Sequence, residues 1–149
     1  MDFKTCNKEF LITALSMARQ REIVGKQDNP EIIKMFNEAG FNGDALKDET
    51  SWCSVYVNWV AFKHNLPRSK SLTARSWLKV GHKVEDGKHE IGDIVIFSRP
   101  PVSWQGHVGF YMREDKEWIY VLGGNQSNQV KFSAYRKNRL LGYRRLTSY

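Results

Sequence analysis

The chain has 149 residues, 41% of them hydrophobic and 26% charged, with a formal net charge of +7. That length fits one domain, residues 1–149, with a full core, and no apolar run is long enough to span a membrane. Two cysteines, Cys6 and Cys53, are too few for a disulfide framework, and neither has a Cys or His at zinc-ligand spacing, so neither metal nor cofactor is expected.

Lys8 to about Val24 carries Phe10, Leu11, Ala14, Leu15, Met17 and Ala18 at helical spacing and reads as an amphipathic helix ended by Gly25. Asp28-Asn29-Pro30-Glu31 is a helix start: a side-chain cap, a proline in the first turn and an acid near the positive end of the dipole. Ile32, Ile33, Met35 and Phe36 then give an apolar face up to Gly40, and Phe41 to Thr50 is polar and loop-like. A third helix follows Ser51-Trp52-Cys53-Ser54, with Thr50 or Ser51 as its cap and Val55, Tyr56, Trp59, Val60 and Phe62 as a wide apolar stripe, stopping before Pro67. A short helix from about Leu72 to Leu78, capped by Ser71, ends at Gly81.

Beyond this the hydrophobic period changes. Ile94 to Phe97 reads as a buried strand, and His107 to Tyr111 and Trp118 to Leu122 as an antiparallel hairpin around the charged turn Met112 to Glu117. Val130 to Phe132 and Leu140 to Arg144 are further strand candidates. Helices first and strands later predict an α+β domain with an antiparallel sheet.

Cys53 falls in the first turn of its helix, where unpaired backbone N–H groups and the helix dipole favour a thiolate and can stabilise an oxyanion. The competing assignment is a small buried hydrophobe. His107 follows the proline-containing loop Ser98 to Gly106, with Gly106 and Gly109 beside it to permit close backbone approach. Alternation puts His107, Gly109 and Tyr111 on one face. His64 sits eleven residues beyond Cys53 on the same helix, about 16 Å of rise and too far to help. His82 and His89 fall in a charged loop. Asn125, in Gly123-Gly124-Asn125-Gln126, ends the strand paired with that of His107, where its amide oxygen can orient the imidazole; plain turn chemistry also explains Gly-Gly-Asn, and Gln126, Ser127 and Asn128 compete for the role. A thiol at a helix start, an imidazole on a sheet and an orienting amide form an activated cysteine nucleophile. Trp52, Trp104 and Gln126 are the candidate substrate-binding residues, with Trp104 in the polar loop before His107 the best placed for a groove. Trp77 reads as core, and Asp93 as a turn residue ahead of its strand.

Trp52-Cys53-Ser54 with Val57-Asn58-Trp59-Val60, then Ile91-Gly92-Asp93-Ile94-Val95, Gly106-His107-Val108-Gly109-Phe110-Tyr111 and Gly123-Gly124-Asn125-Gln126-Ser127, resemble the CHAP and NlpC-type cell-wall hydrolases, more closely a small bacterial and phage branch of that papain-like superfamily. The resemblance extends over roughly residues 10–145. It implies a papain-like core, the catalytic helix packed on an antiparallel sheet, and an acyl-enzyme reaction on an amide of the peptidoglycan stem peptide or cross-bridge. Cys53 would be the nucleophile, His107 the base and Asn125 its orienting group. Asp48-Glu49-Thr50-Ser51 stands where the strict NlpC pattern has a tyrosine and a glycine pair, so that subfamily's substrate preference does not carry over.

The alternatives are a catalytically silent wall-binding module of the same fold, and nucleic-acid binding through the basic residues Arg136, Lys137, Arg139, Arg144 and Arg145. No nucleic-acid motif accompanies that charge, so peptidoglycan or a muropeptide is the expected partner and nucleic acid is not. The N-terminus Met1 to Cys6 lacks the apolar core of a signal peptide. The expectation is synthesis in the cytoplasm and action at the bacterial cell envelope; the sequence names no immunity or export partner.

Overall fold

The computed structural model describes residues 3–17, 30–41, 53–124 and 130–147. Three helices lead: α1 (Phe3–Met17), α2 (Pro30–Glu38) and α3 (Cys53–Lys63). A 3-10 helix (Ala74–Lys79) follows, then six strands: β1 (His82–Val84), β2 (Ile94–Arg99), β3 (Val102–Glu114), β4 (Trp118–Gly124), β5 (Val130–Arg136) and β6 (Leu140–Arg145), with a 3-10 turn (Lys137–Arg139) before the last. The strands form one antiparallel sheet in the order β1-β6-β2-β3-β4-β5. This is the expected α+β architecture, helices packed on an antiparallel sheet. No helix among the described residues is long and apolar enough to cross a membrane.

α1 buries Asn7, Phe10, Leu11, Ala14 and Met17, so the predicted helix is present, but Leu15, expected on its apolar face, turns outward with Ile12, and the helix begins at Phe3 rather than Lys8. Its expected end at Gly25 lies outside the described residues. α2 starts at Pro30 as its start signal predicts. α3 departs from expectation. Instead of one apolar stripe, every residue from Cys53 to Ala61 is buried, and only Phe62 and Lys63 at its end turn toward solvent. α1, α2, the 3-10 helix and the sheet surround α3, and a helix covered on all sides needs its polar groups satisfied internally. Ser54 donates to the Ser71 carbonyl at 2.6 Å and accepts from Trp77 Nε1 at 3.0 Å. Asn58 donates to the Ser54 carbonyl at 2.8 Å and accepts from the Lys70 N–H at 2.8 Å. These bonds fasten the segment 69–71 against α3 and make Trp77 core, as predicted.

The short helix starts later than expected, at Ala74, with Thr73 rather than Ser71 in the cap position. The region between Ser98 and Gly106 is likewise not a loop: a turn at Pro100-Pro101 leads directly into β3, which already includes Trp104. Nor are His82 and His89 both in a loop. His82 is in β1, paired with Arg145 of β6. His89 lies in the loop but its side chain is covered, stacked on Tyr143 with ring centroids 4.1 Å apart and bonded to Glu114.

Asp93 makes the turn assigned to it, accepting the Glu90 N–H at 2.8 Å beside Gly92, whose φ is +89°. It also does more. Fully buried, its carboxylate takes Nε and Nη2 of Arg145, both at 2.7 Å, and Asn7 Nδ2 at 2.9 Å. The bidentate pair ties the start of β2 to β6, and the Asn7 bond adds α1.

The sheet carries an apolar cluster on each face. Ile94, Ile96, Val108, Phe110 and Leu122 meet the helices. Val95, Phe97, Tyr111, Ile119, Val121 and Tyr143 form the second cluster, joined by Tyr135 and Leu140. Phe97 of β2 stacks on Tyr135 of β5 at 4.8 Å, although two strands separate them. In a flat sheet those strands would lie about 14 Å apart. The sheet is therefore strongly curled, and this second face is its concave side.

Candidate active site

Cys53 is the first residue of α3 and is 1% exposed, within the helix-side cluster. His107 lies on β3 opposite Phe97 of β2. Because Phe97 belongs to the second cluster, His107 shares its face with Tyr111, as alternation predicts, and projects into the concave side of the sheet. Thiol and imidazole thus approach from different sides of the sheet.

Tyr135, on β5, is their common neighbour. Its ring stacks on the His107 imidazole with centroids 4.5 Å apart and planes 20° from parallel. Its phenol is pushed up to about 12, chiefly by burial and next by the negative charge that Cys53 carries when ionised, with Arg139 and Arg99 opposing. Charge on the sulfur is therefore felt at the ring that holds the imidazole. The strand expected over Val130 to Phe132 runs on to Arg136 and so includes Tyr135. The signal was there: extending the alternation through Ser133 to Tyr135 places an aromatic on the His107 face.

The glycines around His107 have a spatial reason. A Cβ on Gly106 would come within 2.5 Å of the Phe97 carbonyl oxygen, and one on Gly109 within 2.8 Å of that of Leu122. Side chains at either position would force β2, β3 and β4 apart. Gly123 on β4 sits against the imidazole itself, where a Cβ would stand 3.2 Å from His107 Nε2. Nε2 is buried and has no hydrogen-bond partner among the described residues. It faces the end of β4, and Asn125 follows Gly124 there in the chain.

Electrostatically, the imidazole is held neutral. Burial first, then the positive charges of Arg99 and Arg139, bring it from 6.5 to about 3. Arg139 is itself fixed: Nε and Nη2 donate to the Ser98 carbonyl at 3.0 and 2.8 Å, and its guanidinium lies 5.5 Å from the Tyr135 ring centroid. Arg75 donates to the Gln105 carbonyl at 2.8 Å, adding a third cation at this end of the sheet. Trp104 is 65% exposed on the first part of β3. Trp52, Asn125 and Gln126 lie outside the described residues.

A family model, the CHAP domain, matches residues 45–125. The match covers more than half of the chain and includes Cys53, His107 and Asn125. A comparison with curated proteins finds no match.

Proposed function

The chain belongs to the CHAP domain family, a family of peptidoglycan hydrolases, and from that premise we propose that it cleaves an amide of the stem peptide or cross-bridge by a Cys53-His107-Asn125 acyl-enzyme mechanism. The observation that carries the proposal is Tyr135, stacked on His107 and within electrostatic reach of Cys53.

The imidazole is neutral at neutral pH, so one ring nitrogen carries a free lone pair that can accept a proton. Nε2 is the nitrogen turned toward the end of β4, so Asn125 is assigned to it as hydrogen-bond acceptor, leaving Nδ1 to take the thiol proton. The sulfur attacks the amide carbonyl carbon, and the carbonyl electron pair moves onto oxygen. Backbone N–H groups in the first turn of α3 stabilise that oxyanion. Collapse expels the amine, which takes the proton back from His107, and a thioester remains on Cys53. His107 then deprotonates a water that attacks the thioester, releasing a carboxylate and restoring the thiol. Trp52, Trp104 and Gln126 are the proposed contacts to the glycan or peptide flanking the cut.

The test is release of soluble fragments from purified sacculi. Wild type is expected to release them, Cys53→Ala and His107→Gln to release essentially none, and Asn125→Ala to be partly active, with far-ultraviolet circular dichroism unchanged in each. Mass spectrometry of the fragments identifies the bond. Undiminished lysis by Cys53→Ala would refute the mechanism, and a folded wild type that binds sacculi but releases nothing would favour the silent binding module.

A further inference from the structure

Resting on the hydrolase reading of this site, we propose that Arg139 binds a carboxylate of the stem peptide next to the scissile amide, so that free-acid peptides are preferred over their amidated forms. Three observations meet at this residue. It is fixed in place: the Nε and Nη2 edge of the guanidinium is spent on the Ser98 carbonyl, one residue from Phe97, the strand partner of His107. The end formed by Nη1 and Nη2 is the fork that fits a carboxylate with two parallel bonds.

It is close to the proposed chemistry, because the guanidinium lies 5.5 Å from the Tyr135 ring centroid and that ring is stacked on His107 at 4.5 Å. Its charge is also uncompensated: Arg139 forms no ion pair with any carboxylate among the described residues, unlike Arg145 with Asp93 or Lys137 with Glu114. Both Arg139 and Arg99 act electrostatically on His107, so the positive field reaches the reacting groups. A cation held rigidly, partly buried and with no counter-charge among the described residues, beside a proposed amide-cleaving thiol, favours a substrate that brings the counter-charge with it. Stem peptides carry such carboxylates, and the wall chemistry that amidates them removes the charge while keeping the shape.

Binding separates this proposal from catalysis. The full-length Cys53→Ala protein is titrated with a synthetic stem tetrapeptide in its free-acid form and in its carboxamide form. The free acid is expected to bind about tenfold more tightly, the size of a charged, bidentate hydrogen-bonded pair in a partly exposed site. Adding Arg139→Gln brings the ratio close to one. Arg139→Lys, which keeps the charge but not the fork, gives an intermediate ratio and serves in place of the Gln variant should that fail to fold. Equal affinity for the two peptides, binding of neither, or a preference that survives in folded Arg139→Gln or in full in Arg139→Lys overturns the proposal. The hydrolase reading is judged separately, by whether wild type releases fragments from sacculi. A protein that discriminates between the peptides and cuts neither would retain the Arg139 assignment and lose the mechanism.

Discussion

A neutral, buried His107 has a measurable cost in acid. Unfolded, its imidazole takes a proton near 6.5; folded, burial together with Arg99 and Arg139 delays protonation to about 3. Between those values the unfolded chain binds the extra proton and the native state does not, so native stability falls as the pH falls. This contribution is negligible above the unfolded value. It then grows at about 1.4 kcal/mol per pH unit, reaching about 2 kcal/mol at pH 5. The assay is urea denaturation of wild type and His107→Gln at about pH 7.5 and about pH 5. Wild type should lose about 2 kcal/mol more than the variant, a midpoint shift on the order of 1 M urea for a domain of this size. His64, also lowered by its partial burial, is the same in both proteins and so cancels from the difference. Equal acid sensitivity in the two proteins would refute the reasoning. So would an imidazole that titrates near 6.5 by nuclear magnetic resonance in the folded wild type, a readout that does not depend on the variant folding.

The other predictions test the framework around the site. Asp93→Asn leaves the half-buried Arg145 with Glu90 as its remaining carboxylate and should cost about 1–3 kcal/mol in chemical denaturation, the usual range for losing hydrogen bonds to a charged group; a loss below about 0.5 kcal/mol would show that the pair carries little. Gly123→Ala puts a methyl 3.2 Å from His107 Nε2, so fragment release from sacculi should fall at least tenfold while stability drops only about 1–3 kcal/mol. Full activity in that variant would mean that Nε2 is not confined as described.

Much of this fold was legible because its signals are local. The capped start at Pro30, the apolar run Ile94 to Phe97 and the alternation in His107 to Tyr111 each declare themselves within a few residues. The features that escaped are created by distant partners. β1 is only His82-Lys83-Val84, exposed or half-exposed, and becomes a strand because Tyr143 to Arg145 of β6 pair with it. His89 sits in a charged loop, yet Tyr143 from β6 and Tyr111 from β3 enclose its ring. α3 was expected to show one apolar stripe; the network to Ser69, Ser71 and Trp77 that lets its polar Ser54 and Asn58 be buried as well draws on residues well beyond the helix. At the candidate site, Cys53 and His107 were visible from residue type and position. For Tyr135, alternation gives the face, but its contact with His107 is not local, because only the curl of the sheet carries β5 over β3.

That curl has a backbone origin, which places part of the proposed function in β2 rather than in the reacting side chains. β2 changes register against β6 between Ile96 and Phe97, and against β3 between Ser98 and Arg99. Such irregularities bend a strand and sharpen its twist. Here they flank Phe97, the residue opposite His107 and stacked on Tyr135. A thiol in the helix-side layer and an imidazole on the concave side would stay separated by a flat sheet. With β2 bent and no side chains on Gly106, Gly109 and Gly123, the strands close in and one aromatic ring can touch the imidazole while lying within the field of the thiolate. A regular β2 would keep every proposed catalytic residue and still part Tyr135 from His107.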